Sequence, residues 1–274
     1  APAGRPGSPV EVPQVTAISS WPTATATPQP LPTLTATPDL WPTFAPASGA
    51  SVTQVPEPAS RLERDENLRV WLLLGTGRDA PYRGSTEAFH LLLLNPVQAR
   101  AAVLSLPGSL MVYIPGNGMG RLSTAYPLGG YPLVRDALAY NLGIRPDRFV
   151  LAHPRAFLGL MQELSSIEVH NPVPLDEACG GLPSGTQLLD GNLAYCYVSY
   201  LQDQDEVSRV RRQQIVLEAL FNKAIQDGFP ARLPRLFEAW QGEFETDLSL
   251  PELLGQVPLA LRLGDPDRLK FFMA

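Results

Sequence analysis

From about Asn67 the chain is built on uninterrupted apolar runs of strand length. "LRVWLLL" (68–74), "AFHLLLLN" (88–95), "ARAAVLSL" (99–106) and "RFVLAH" (148–153) show no polar alternation. Such runs predict strands covered on both faces, hence helices above and below a sheet. Helical spacing falls between and after them. In "YPLVRDALAYNLG" (131–143), Leu133, Val134, Leu138 and Leu142 form one stripe and Gly143 suits the stop. "PRAFLGLMQEL" (154–164) is a second helix. The longest is 205–228, with a core stripe of Val210, Leu217 and Phe221 flanked by Val207 and Leu220, ended by Gly228 and Pro230. Helices over 232–241 and 249–262 and a strand "LKFFM" (269–273) complete the pattern. The prediction is an α/β/α sandwich around a central, mostly buried mixed sheet.

One turn in this pattern invites chemistry. "SLPGSLMVYIPG" (105–116) reads as a strand end, a tight Pro-Gly turn and a second short strand. Turns leaving a buried strand are common sites of function. This one offers Gly108 and Ser109, with neither a charge nor a nucleophile beside a visible base.

Residues 1–60 follow other physics. They hold 13 of the 29 prolines and four charged residues, Arg5, Glu11, Asp39 and Glu57, amid Thr, Ala and Ser. Such a stretch favours extended, polyproline-like chain. It repeats at a period of ten, with Trp21, Leu31 and Trp41 in register. Either this is low-complexity drift, or the large side chains anchor an arm that docks on a partner. The domain reading is therefore 1–60 as arm or linker and 61–274 as the folded domain.

Composition excludes some classes. Of 274 residues 18% are charged, with a net charge of -6, which argues against a nucleic-acid partner. No apolar run reaches the roughly 18 residues of a membrane-spanning helix. The chain begins at Ala1 rather than Met, so a targeting segment or anchor is read as removed or lying outside this sequence. Cys179 and Cys196 lack zinc-site spacing and are either one disulfide or two buried thiols. His90, His153 and His170 are scattered, and His90, inside "FHLLLL", reads as structural.

On the long helix Arg209, Arg212 and Gln213 stand at i, i+3 and i+4 and share a face. Such a group either clamps a phosphate or forms a solvated basic face. Here the sequence resembles the LytR-CpsA-Psr family of bacterial cell-envelope proteins. The resemblance runs from about residue 67 to the C-terminus through ordered segments. They are "LLLGTGRD" (72–79), "LLLLNP" (91–96), "VLSLPGSLMVYIPG" (103–116), "RLSTAYPLGG" (121–130), "GIRPDRFV" (143–150), "LLDGNLAYCYV" (188–198), "SRVRRQQIVLEAL" (208–220) and "TDLSLPELL" (246–254). The resemblance implies an α/β/α fold outside the cytoplasmic membrane. It also implies magnesium-dependent transfer of glycopolymers from polyprenyl pyrophosphate to the cell wall.

Several positions depart from the family pattern. Gly77 stands at a family Asp, and Ser85 at a family Arg, with Arg83 two residues away. Glu87 keeps a carboxylate, the one candidate metal ligand. Gly108 and Ser109 replace Arg-Asp, and Ser199 and Leu201 replace Arg-x-Arg. Arg121, Arg209, Arg212 and Gln213 remain. The expectation is a catalytically degenerate, extracytoplasmic scaffold without cofactor. Its N-terminal arm would dock on another copy or on an envelope protein. The alternatives are a surviving magnesium-dependent transferase, or binding of a polyprenyl-phosphate lipid or cell-wall glycan without transfer. The apolar strands are read as packed core rather than as the wall of a lipid tunnel.

Overall fold

The computed structural model describes residues 55–79, 84–175, 177–201, 205–239 and 242–274. The arm anchors Trp21, Leu31 and Trp41, and Arg83, lie outside the described residues.

Six strands form one mixed sheet: β1 (Arg69–Thr76), β2 (Thr86–Asn95), β3 (Arg100–Leu106), β6 (Arg148–Ala152), β9 (Phe244–Thr246) and β10 (Leu269–Met273), in the order β10-β3-β2-β1-β6-β9. β1 runs parallel to β6 and β10 parallel to β3, while the β1–β2, β2–β3 and β6–β9 pairs are antiparallel. Two hairpins sit outside the sheet, β4 (Met111–Ile114) with β5 (Gly118–Arg121), and β7 (Ile167–Asn171) with β8 (Gly185–Leu189). The α/β sandwich with a mixed central sheet is thus the observed architecture.

One face of the sheet is closed by α1 (Ala125–Leu142). Val70, Leu72 and Leu74 of β1, Phe89 and Leu91 of β2, and Leu151 of β6 pack there against Val134 and Leu138. α1 is longer than its apolar stripe predicts, because a turn over 125–128 continues across a kink at Gly129 and Gly130. Gly130, at φ 66°, adopts a conformation that a side chain disfavours. Residues 56–62, partly on the arm side of the compositional boundary, lie against α1. The Ala59 amide donates to the Tyr140 carbonyl (2.7 Å) and the Tyr140 hydroxyl to the Pro56 carbonyl (2.7 Å).

The opposite face carries α2 (Pro154–Leu164), α3 (Gly191–Ser199), α4 (Glu206–Gln226), α5 (Phe229–Ala239) and α6 (Leu250–Leu263). α2 has the predicted bounds, starting with Pro154 at its first turn after an extended His153. Asp190 and Asp205 cap α3 and α4 by accepting the amides of Leu193 and Ser208. The Cys179–Cys196 disulfide forms, tying the β7–β8 loop to α3.

Burial on this second face corrects the sequence reading. β1 alternates buried and half-buried positions, where a continuous apolar run predicts full cover on both sides. Val210 and Leu220 are buried as the stripe on α4 predicts, but Val207 is 45% exposed and Leu217 borders a cavity.

Candidate functional site

The half-buried face of the sheet stands off from the helices across two cavities. One, of about 250 Å³, lies between Leu73, Ala88, Val150 and Ala152 of the sheet and Phe157, Leu160, Val198 and Val216 of the helices. The other, about 220 Å³, is lined by Trp71, Leu92, Val103, Phe221, Leu259 and Phe271. Leu73 and Leu217 border both. The expectation of a packed core is therefore wrong on this face. Periodicity records that the side chains are apolar, whereas the spacing of the layers leaves their tips without partner atoms.

Polar side chains gather where the first cavity reaches the C-terminal ends of the parallel strands β1 and β6, among them Thr76, Glu87, His153, Ser199 and Gln213. Local structure aims Glu87. Gly75 pairs with Ala88 but Thr76 pairs with Thr86, which leaves Glu87 as the extra residue of a bulge. Its Oε2 accepts from Nη1 of Arg209 at 3.0 Å. Arg209 Nη2 donates to Oε1 of Glu206 at 3.0 Å, in the first turn of α4. The Glu206 carboxylate also takes the amide of Ser109, at 3.1 and 3.0 Å from its two oxygens. Burial works to raise the Glu206 pKa, but the Ser109 hydroxyl, then Arg209 through its charge and hydrogen bond, and last the Ser109 amide outweigh it and hold it below the usual carboxylate range.

The shared face on α4 is real, but it is not solvated. Arg209, Arg212 and Gln213 are 9%, 5% and 7% exposed. Neither arginine extends freely as a phosphate clamp. Arg209 lies between two carboxylates. Arg212 donates to the carbonyls of Tyr197 (2.8 Å) and Tyr200, closing the C-terminal end of α3, and burial lowers its pKa. Gln213 Nε2 donates to the carbonyls of Glu87 and Val198, both at 3.2 Å. Arg209 Nε, Gln213 Oε1 and Thr86 Oγ1 are buried without a hydrogen-bond partner among the described residues. Arg121, at the end of β5, is exposed, and among the described residues no bond draws its side chain into this cluster.

Glu206 escaped the sequence reading. Its signal was present as an acid three residues before Arg209 in a first helical turn, a pattern that also fits an ordinary dipole-facing residue. A second missed network runs beside the cavity. His153 Nδ1 lies 2.9 Å from Thr76 Oγ1, its Nε2 lies 3.1 Å from Glu245 Oε1, and the Tyr126 hydroxyl donates to Glu245 Oε2 at 2.6 Å. These bonds fix the end of β1 to β6, β9 and α1.

The sequence model described as the LytR_cpsA_psr family matches residues 47–271. The chain belongs to that family. Among its relatives, "Regulatory protein MsrR" of Staphylococcus aureus (strain COL) is 24% identical over 181 residues, 65% of this chain and 55% of that protein. The chain thus spans little more than half the length of that relative. The "Polyisoprenyl-teichoic acid--peptidoglycan teichoic acid transferase TagT" of Bacillus subtilis (strain 168) is 26% identical over 195 residues, 68% of this chain and 60% of that protein. The solved structure "LytR-CPS2A-psr family protein YwtF (TagT) with bound octaprenyl pyrophosphate lipid" superposes with a TM-score of 0.59 at 23% identity, covering 79% of this chain and 82% of that one. At that identity the likeness speaks for the fold.

The glycines and polar residues at which the resemblance implied charges have these surroundings. A Cβ on Gly77 would lie 2.7 Å from Glu87 Oε1, and one on Gly108 would lie 3.3 Å from Glu206 Oε1. Two carboxylates thus occupy the space that side chains at these glycines would need. Ser85 contributes a carbonyl to the amide of Gly77 (3.3 Å), Ser199 Oγ donates to the Tyr195 carbonyl (2.7 Å), and Leu201 is half-buried. Among the described residues no three His, Cys, Asp or Glu side chains gather to hold a metal ion. Glu87 and Glu206 are both engaged by Arg209, so the described residues, as paired here, do not fit the magnesium ion that the resemblance implies. No helix among the described residues is long and apolar enough to cross a membrane.

Proposed function

We propose that this chain binds the isoprenoid tail of a cell-envelope carrier lipid and does not transfer the polymer attached to it. The observation that carries the reading is an apolar cavity whose polar end is neutralised from within. Glu87 and Glu206 both pair with Arg209, and Arg212 is turned onto the carbonyls of Tyr197 and Tyr200, so an incoming pyrophosphate meets two carboxylates rather than an open guanidinium. Apolar walls of this extent favour a hydrocarbon chain, since each buried methylene contributes about 0.8 kcal/mol. The support from relatives is that TagT is named as a polyisoprenyl-teichoic acid transferase and that its solved form holds octaprenyl pyrophosphate. The corresponding location is extracytoplasmic.

Phosphotransfer needs positive charge aimed at the developing phosphate charge. Here the α4 arginines already have internal partners. The test is calorimetric titration with octaprenyl phosphate and octaprenyl pyrophosphate, each with and without magnesium. Saturable binding that is indifferent to magnesium and no tighter for the pyrophosphate is the expected result. Binding that strengthens tenfold with magnesium would return the chain to the transferases. No binding of either lipid would leave the cavity without this role.

A further inference from the structure

On the cavity side of the sheet β2 presents Ala88, His90, Leu92 and Leu94. His90 interrupts an apolar row. It is 6% exposed and borders the first cavity. Its neighbours fix its tautomer. Gln214 Nε2 donates to the Phe272 carbonyl at 2.7 Å, which sets the orientation of that amide, and also to Ser105 Oγ at 2.8 Å. The Ser105 hydroxyl therefore accepts from Gln214, and its own proton has one acceptor among the described residues, His90 Nδ1 at 2.7 Å. Nδ1 is then the bare nitrogen and the ring proton sits on Nε2. Burial lowers the His90 pKa to about 4, so the ring is neutral. Nε2 has no partner among the described residues. Side chains stand off a sheet roughly perpendicular to it, so this distal ring edge is the part turned toward the cavity.

Nε2 is not among the fully buried unpartnered atoms, so it is open to the cavity, and an N–H donor that loses its water to an incoming apolar chain is costly unless something accepts from it. We propose that His90 Nε2–H reads an acceptor on the tail of the bound chain, the π face of a carbon–carbon double bond, and so selects an unsaturated isoprenoid over a saturated chain of the same length. The inference rests on the lipid-binding reading above. Depth supports it. His90 lies three residues along β2 from Glu87 at the polar end, about 10 Å at strand rise. That is a distance of about two isoprene units, within the stretch of tail nearest the headgroup. An N–H to π contact is weak, but a saturated chain would remove water from Nε2 and offer nothing in return.

The experiment compares octaprenyl phosphate with its fully hydrogenated counterpart on the full chain. A double variant, His90→Leu with Ser105→Ala, removes the donor without leaving the serine unpaired. Wild type should bind the unsaturated lipid threefold to fivefold more tightly, and the variant should bind both lipids alike. His90→Phe is the second variant should the double one fail to fold, with the same loss of preference expected. Equal binding of the two lipids by wild type would overturn the proposal and leave the lipid-binding reading intact. A preference that survives in the variant would also overturn it, because chain stiffness would then account for it. Failure of wild type to bind either lipid would overturn both.

Discussion

Replacing Glu206 by Gln tests whether the arginine of the cluster is held from within. The substitution keeps size and one acceptor oxygen but removes the charge. Glu206 and Arg209 are 13% and 11% exposed at their side chains, so their pair is largely shielded from water. Breaking a buried ion pair outright costs about 3–5 kcal/mol. Arg209 keeps Glu87, and the glutamine can still accept from Arg209 or Ser109, so the loss falls to about 1.5–3 kcal/mol. The matching change at Glu87 should cost less, about 1 kcal/mol, because that carboxylate is 36% exposed and screened. Urea denaturation of wild type, Glu206→Gln and Glu87→Gln at neutral pH gives the comparison, with m checked for constancy. The sign with pH is defined as well. Glu206 is depressed in the folded state, so its contribution is complete above its unfolded pKa and fades as pH falls through the folded value. The gap between wild type and Glu206→Gln should narrow below about pH 4.5. Equal costs at the two positions, or a Glu206→Gln protein as stable as wild type, would refute the claim that Glu206 anchors Arg209.

Two further outcomes follow from the same structure. Leu217→Trp projects a larger side chain where both cavities meet; it should weaken octaprenyl phosphate binding at least tenfold without lowering the melting temperature, since it fills space rather than displacing core. Ser249→Ala breaks a reciprocal cap at the start of α6, in which Ser249 Oγ accepts the Glu252 amide and Glu252 accepts the Ser249 amide, and should cost about 1 kcal/mol by denaturant midpoint. Glu252, held down to about 2 first by the Ser249 amide and hydroxyl and then by Arg148, makes that stabilisation fade as pH falls from about 4.5 toward 2.

The sequence places five of the six strands of the sheet and most of the helices that cover it. Uninterrupted apolar runs are hard to accommodate except in a covered sheet, and α2 follows from Pro154 and its spacing. It also determined that Arg209, Arg212 and Gln213 share a helix face and that the Pro-Gly corner at Gly108 carries no charge of its own. The short β7, β8 and β9 and the start of α1 were not legible, because three to five residues carry too little periodicity and a glycine pair reads as a break. What meets the arginines is set by long-range packing. Glu87 reaches Arg209 across 122 residues, and no local pattern encodes such a pairing. Long-range packing likewise sets the second face of the sheet against a cavity. Periodicity states which faces are apolar, whereas the separation of two faces depends on how every loop and helix end between them is anchored.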